Sequence, residues 1–205
     1  QWLVGENVWH KLKSETYDGL ETAILLPAPK HPGIYVQRNG QLEHYADLDV
    51  LFPVLHGTFG EDGTLQGLLE LADLAYVGAG VLASSVCMDK GLFKDLMIAN
   101  AVPTLPFRVL NRSQIETDLE TCLQICEEIS PYPLFTKPAN LGSSVGINKC
   151  NSRSHLVEGL LEAACYDRRI VVEKGLVDPR EIEISILGNE EPMASIPGEV
   201  VPKDI

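Results

Sequence analysis

Positive charge is scarce in this sequence: 16 Lys and Arg stand against 29 Asp and Glu, a formal net charge of −13 over 205 residues. That balance argues against nucleic acid or an anionic membrane surface as partner, so any phosphate must be held locally by a few placed lysines and backbone N–H groups. Long apolar runs are lacking too. None approaches the roughly 18 residues that span a bilayer, and no basic-then-apolar leader opens the chain. Cysteines are few and unpatterned: Cys87, Cys122, Cys126, Cys150 and Cys165 make an odd set, which fits reduced core thiols in a cytosol rather than a disulfide framework. Cys122 and Cys126 stand four apart, but no further Cys or His pair at ligand spacing completes a metal site. A P-loop is missing as well, since counting from Gly142 it would need Gly at Ile147 and Lys at Asn148. The opening QWLVGENVWHKL has no initiator methionine and the closing GEVVPKDI stops without a further element, so both ends read as cuts in a longer chain.

What is present is ordinary globular composition, 45% hydrophobic and 22% charged, with room for one large domain or two modest ones. ETAILLP and GIYVQRNG read as strands, the second closed by the turn signal Asn39-Gly40. DLDVLFPVLHG reads as a longer apolar strand. After it, DGTLQGLLELADL places Leu65, Leu68, Leu69 and Ala72 on one helical face, and AYVG completes a βαβ unit. Ligands meet such units at the carboxyl end of the first strand, which points to residues 56–63. Residues 83–101 read as one helix ending near Asn100, and residues 114–129 as another. LPFRVL, PYPLFTK, VGINK, RRIVVEKGL and REIEISILG read as strands, and SHLVEGLLEAAC as a helix capped by Ser154.

Three stretches carry chemistry. In FTKPANLGSSVGINK, glycines let successive N–H groups face one concavity that suits phosphate oxygens, serine hydroxyls add donors, and Lys137 supplies a point charge. The plain alternative is a β-turn with a surface lysine. In HGTFGEDGTLQG, His56, Glu61 and Asp62 share a glycine-rich loop before a helix N-terminus, an arrangement able to orient an ammonium and a carboxylate together; Asp62 is also expected to cap the helix. Glu173 ends a buried-looking strand, where a carboxylate is costly unless hydrogen-bonded, and a nucleobase with its ribose would be such a partner. Lys90 and Lys94, four apart on a helix, read as a solvated face. The glycines of GAGVLA match a dinucleotide fingerprint loosely, but their strand is short and no acid follows at the required distance.

In order, LHGTFGEDGTLQG, MDK, FTKPANLGSSVGI, VVEKGL, REIEISILGN and PGEVVP resemble D-alanine:D-alanine ligases of the ATP-grasp superfamily, from about Asp49 onward. The resemblance implies an α/β fold, α+β in its central part: an ATP-grasp fold with an N-terminal doubly wound domain at 1–79, a central subdomain at 80–172 and the start of a C-terminal catalytic domain at 173–205. ATP would lie between two sheets. Lys90 and Lys137 would bind its phosphates, with Glu173, Lys174, Leu176 and, across a one-residue insertion, Glu181 at the adenine and ribose. Ser143 and Ser144 would approach the phosphate and orient the lid. His56 and Glu61 would serve the first D-alanine. The implied reaction phosphorylates one D-alanine, whose acyl phosphate the amine of a second attacks, in a cytoplasmic enzyme of peptidoglycan precursor synthesis. Mg2+ would be held by residues downstream of Ile205, where the lid and a catalytic arginine also belong. These residues alone would then not complete the reaction. A homodimer is the partner that relatives suggest. The alternatives are another ATP-grasp carboxylate–amine ligase, including those using D-lactate or D-serine, and a non-catalytic ATP-binding remnant.

Overall fold

The computed structural model describes residues 2–6, 11, 17–142 and 144–201. Four strands, β1 (Trp2–Val4), β2 (Glu21–Leu25), β3 (Ile34–Arg38) and β4 (Gln41–Ala46), form an antiparallel sheet in chain order. Asn39 and Gly40, both at positive φ, make the expected hairpin turn between β3 and β4. Next come β5 (Val50–Leu51), α1 (Thr64–Leu71) and β6 (Ala75–Tyr76), with β5 and β6 paired in parallel. This β–α–β unit is what the described residues show of the doubly wound arrangement; the sheet before it is antiparallel throughout. Leu65, Leu69, Ala72 and Leu74 form its buried core against Leu25, Leu48 and Leu51. The long strand expected over DLDVLFPVLHG shrinks to β5, because the chain beyond it turns into a loop whose Phe52, Val54 and Leu55 stay exposed.

The helix expected over 83–101 is two helices, α2 (Val81–Met88) and α3 (Lys90–Ala99), broken at Asp89. Asp89 has extended backbone and its carboxylate accepts from Leu92 N at 2.9 Å, so it starts a new helix rather than continuing the old. Asp118 likewise divides 114–129 into α4 (Arg112–Thr117) and α5 (Leu119–Glu127), capping the latter through Thr121 N at 3.1 Å. Around them lies a second antiparallel sheet, ordered β7 (Phe107–Asn111), β10 (Arg169–Lys174), β8 (Leu134–Pro138), β9 (Asn148–Cys150). α6 (Arg153–Tyr166) precedes β10, and its N-cap is Ser152 rather than Ser154. The main core fills the space between this sheet and α4, α5 and α6: Leu134, Ile170, Val172 and Cys150 from the strands meet Leu123, Cys126, Leu156 and Leu160 from the helices. Burial pushes the Cys126 thiol up to about 12, consistent with an inert core cysteine.

Beyond β10 the chain makes two short antiparallel pairs, β11 (Glu181–Glu183) with β14 (Gly198–Val200) and β12 (Ile186–Leu187) with β13 (Met193–Ala194). Every residue from 176 to 201 is exposed. Among the described residues no helix is long and apolar enough to cross a membrane.

Candidate functional site

One face of the second sheet is covered by helices, so period-two alternation sends its other side chains to the opposite face. Opposed pairs fix which residues these are. Val171 lies across from Lys137 and Val109, and Glu173 across from Phe135 and Phe107. Apolar ground with one cation and one carboxylate is the result.

α3 lies against this face, held at its start. Asp89 pairs with the Arg169 guanidinium from β10, and Lys90 N donates to Ala139 O at 2.9 Å. Gly91 permits the close approach, since a Cβ there would stand 2.9 Å from Val109 Cγ2. Two lysines then reach inward. Lys90 Nζ donates to Pro138 O at 3.2 Å and to Leu141 O, while Lys94 Nζ pairs with Glu173 Oε2 at 2.7 Å. Lys137 takes the other oxygen, Glu173 Oε1. Glu173 is 6% exposed. Burial alone would raise its pKa, but the hydrogen bonds from Lys137 and Lys94 overturn that and hold the carboxyl below its ordinary range. The Lys90 ammonium is shifted down, by burial first and then by the Lys137 charge. The two cations thus act on each other beside the start of the loop, whose Leu141 carbonyl Lys90 holds.

The loop is the glycine-serine segment. Asp167 anchors its start, accepting from Asn140 N at 2.8 Å and Nδ2 at 3.0 Å. Val145 N donates to Gly142 O and Ile147 N to Ser144 O, at 3.3 and 3.2 Å. Ser144 is exposed with φ of 58°. Gly146 has φ of 68°, and a Cβ there would stand 2.6 Å from the Tyr166 ring, so both backbone and space call for glycine. Ser143, also expected at the site, lies outside the described residues.

The His56–Gly63 loop reaches the same place from the N-terminal side. A methyl group on Gly142 would lie 3.6 Å from Gly57 Cα, so the two glycine loops touch. Glu61 Oε2 accepts from Gly57 N at 2.5 Å, and Asp62 accepts from Phe59 N at 2.8 Å and Thr64 N at 3.0 Å, closing the loop on itself. Asp62 thus supports α1 from one residue before its N-cap, which is Gly63. His56 is exposed and lines a cleft of about 690 Å³ with Trp2, Phe52, Leu55 and Phe59.

The structure therefore brings Lys90, Lys137 and Glu173 to one side of the sheet, leaves Ser144 exposed in the loop whose Leu141 carbonyl Lys90 holds, and sets His56 and Glu61 across the Gly57–Gly142 approach. Lys174, Leu176 and Glu181 are exposed, with Lys174 N bonded to Pro106 O at 3.0 Å and Glu181 in β11. Lys94 is the residue sequence reading missed, having been taken for a solvated face. Among the described residues no group of three or more His, Cys, Asp or Glu side chains could hold a metal ion.

An antiparallel sheet backed by helices, with lysines from β8 and α3 meeting on its other face and a glycine-serine loop at its edge, places the molecule in the ATP-grasp class. Solved structures bear this out. Over 96% of its length the chain is similar to the D-alanine–D-alanine ligase of Coxiella burnetii, with a TM-score of 0.77 and 34% identity, covering 54% of that chain. It is similar over 97% to the VanG D-Ala:D-Ser ligase of Enterococcus faecalis, with a TM-score of 0.83 and 28% identity, covering 56% of that chain. Among curated sequences, the D-alanine–D-alanine ligase of Heliobacterium modesticaldum is 45% identical over 98% of this chain and 54% of its own length, and that of Solibacter usitatus 47% identical over 93% and 56%. The families described as D-ala D-ala ligase N-terminus and C-terminus match residues 1–79 and 96–205. The chain belongs to the D-alanine–D-alanine ligase family. It spans about half the length of the curated relatives it matches.

Proposed function

We propose that this chain carries the phosphate-binding part of a ligase that joins two D-alanines into D-alanyl-D-alanine for peptidoglycan precursors. In this reading 1–79 is the N-terminal domain, 80–172 the central nucleotide-binding subdomain and 173–205 the beginning of the catalytic domain. The observation that carries it is the convergence of Lys90 and Lys137 beside the Asp167-anchored glycine-serine loop. ATP supplies the phosphoryl group that activates one carboxylate for attack by the second amine. The chain's own residues bind and orient: Lys90 and Lys137 neutralise phosphate charge, while the loop from Leu141 to Gly146, with Ser143 and Ser144, presents donors to it. Glu173, Lys174, Leu176 and Glu181 receive the adenine and ribose. His56 and Glu61, brought to the loop by the Gly57–Gly142 approach, position the first D-alanine. Mg2+ would share the neutralisation of phosphate charge with Lys90 and Lys137; among the described residues no group of three or more His, Cys, Asp or Glu side chains could hold it. Free thiols, with three of the five cysteines buried, support a cytoplasmic setting. A homodimer is the assembly we propose by analogy with relatives.

ATP binding tests the site and product analysis tests the reaction. Calorimetry should show ATP binding that Lys137→Ala weakens about 10- to 100-fold, the worth of a lost charged hydrogen bond; unchanged affinity would contradict the phosphate assignment. The native polypeptide carrying this sequence should turn D-alanine and Mg-ATP into dipeptide, ADP and phosphate. ATP bound without any turnover would leave the non-catalytic reading instead. The fit to a D-Ala:D-Ser ligase makes D-serine the second reading for the acceptor, and competition between D-alanine and D-serine in one assay separates the two.

A further inference from the structure

Lys90 and Lys94 occupy one helix face but bind different things. Lys90 holds the backbone carbonyls of Pro138, at the end of β8, and of Leu141, in the loop, whereas Lys94, its side chain 16% exposed, holds Glu173 Oε2 and lies 5.4 Å from the centre of the Phe107 ring. Glu173 is thus gripped by two cations on separate elements, Lys94 from α3 and Lys137 from β8. On the site reading above, on which this inference rests, Lys137 must turn toward nucleotide phosphates. Each step it takes that way removes a partner from a carboxylate that is almost wholly buried, and a buried carboxylate left alone is strongly disfavoured. Lys94, bonded to the other oxygen, removes that conflict.

We propose that Lys94 is a positioning residue for nucleotide binding: it keeps Glu173 charged and in place so that Lys137 is free to engage phosphate. The groups facing Glu173 are consistent with this. α3 offers Lys94 and, more distantly, Lys90; β8 offers Lys137; β7 offers Phe107, with no charge; and on its own strand the neighbouring Lys174 is exposed. Lys94 is therefore the cation that remains bonded to Glu173 when Lys137 leaves.

The test is ATP affinity in the native polypeptide for wild type, Lys94→Met, Lys94→Arg and the Lys94→Met/Glu173→Gln pair, with Lys137→Ala alongside. In Lys94→Met, Lys137 still holds Glu173 before binding, so ATP must draw it away and Glu173 takes up a proton. Proton uptake makes binding favour low pH. The ratio of variant to wild-type Kd should rise with pH, by up to about tenfold per unit across the window between the free and bound pKa of Glu173. Using the ratio cancels the titration of ATP itself. Lys94→Arg should restore affinity, and the paired variant should lose the pH dependence because no carboxyl remains to titrate. A uniform loss at every pH, or no loss while Lys137→Ala still weakens ATP, overturns the role for Lys94 and leaves the site reading standing. If Lys137→Ala also leaves ATP binding unchanged, both fail. Should Lys94→Met not fold, Lys94→Gln carries the same comparison, with matched melting temperatures as the control.

Discussion

β10 and β12, with β11 between them in the chain, live under opposite conditions. Ile170, Val171 and Val172 in β10 are fully buried, with strands on both sides and helices on each face, whereas Ile186 and Leu187 in β12 are 63% and 71% exposed and pair with one short strand. Both segments carry adjacent branched aliphatic residues, Ile170 to Val172 in β10 and Ile186 and Leu187 in β12; what differs is what covers them. β10 can therefore hold a carboxylate at a fixed place, because its neighbours leave that side chain no other position. β12 imposes nothing comparable on its residues. The lysines and Glu173 belong to the rigid region, and Leu176 and Glu181 to the exposed one, so the proposed nucleotide site joins a preformed half to a half with little to fix it.

The largest expected effect breaks the rigid side. Leu160 is fully buried between α6 and the sheet, and Leu160→Ala should cost about 2–5 kcal/mol of stability, transfer and cavity terms together. Urea unfolding followed by circular dichroism measures it. A loss well under 1 kcal/mol would mean that the core collapses around the gap and that the platform is softer than its burial indicates.

A smaller effect comes from the charge that the rigid side holds. The folded pKa of Glu173 lies below the ordinary glutamate value of 4.5, so its ionised form contributes stability that is fully present above that value and is lost as pH falls through the folded pKa. Glu173→Gln should flatten the acid limb of the stability profile below about pH 4.5, and at neutral pH it should cost about 1–3 kcal/mol because Lys94 and Lys137 lose the carboxylate charge and one of them faces an NH2 donor in place of an acceptor oxygen. Thermal melts across pH give both numbers. An acid limb identical in wild type and variant would show that Glu173 is not the carboxylate being titrated.

The sequence made the rigid half legible in part. Short apolar runs in PYPLFTK and RRIVVEK mark the strands, and contiguous motifs mark the two glycine loops. Two helix breaks escaped because apolar residues run on through Asp89 and Asp118, and only the capping geometry of those aspartates separates one helix from the next. Lys94 escaped for a different reason. A lysine pair at i, i+4 is indistinguishable from a solvated face until a carboxylate from a distant strand is seen beneath it. The contact of Gly57 with Gly142 is likewise a matter of how two regions pack, which local pattern does not encode.

The smallest expected effect sharpens the comparison from its exposed side. Ile186 is as apolar as Ile170, so removing its side-chain carbons would cost as much if both were covered alike. In the 205-residue chain Ile186→Ala should change stability by no more than about 0.5 kcal/mol, and backbone amides of 176–201 should exchange with solvent without global unfolding, while those of β10 should require it. Hydrogen exchange read by mass spectrometry resolves the two segments in one experiment. A cost above about 1 kcal/mol, or protection of β12 equal to that of β10, would mean that a second surface covers this hairpin in solution. The adenine side of the proposed site would then be as fixed as its phosphate side.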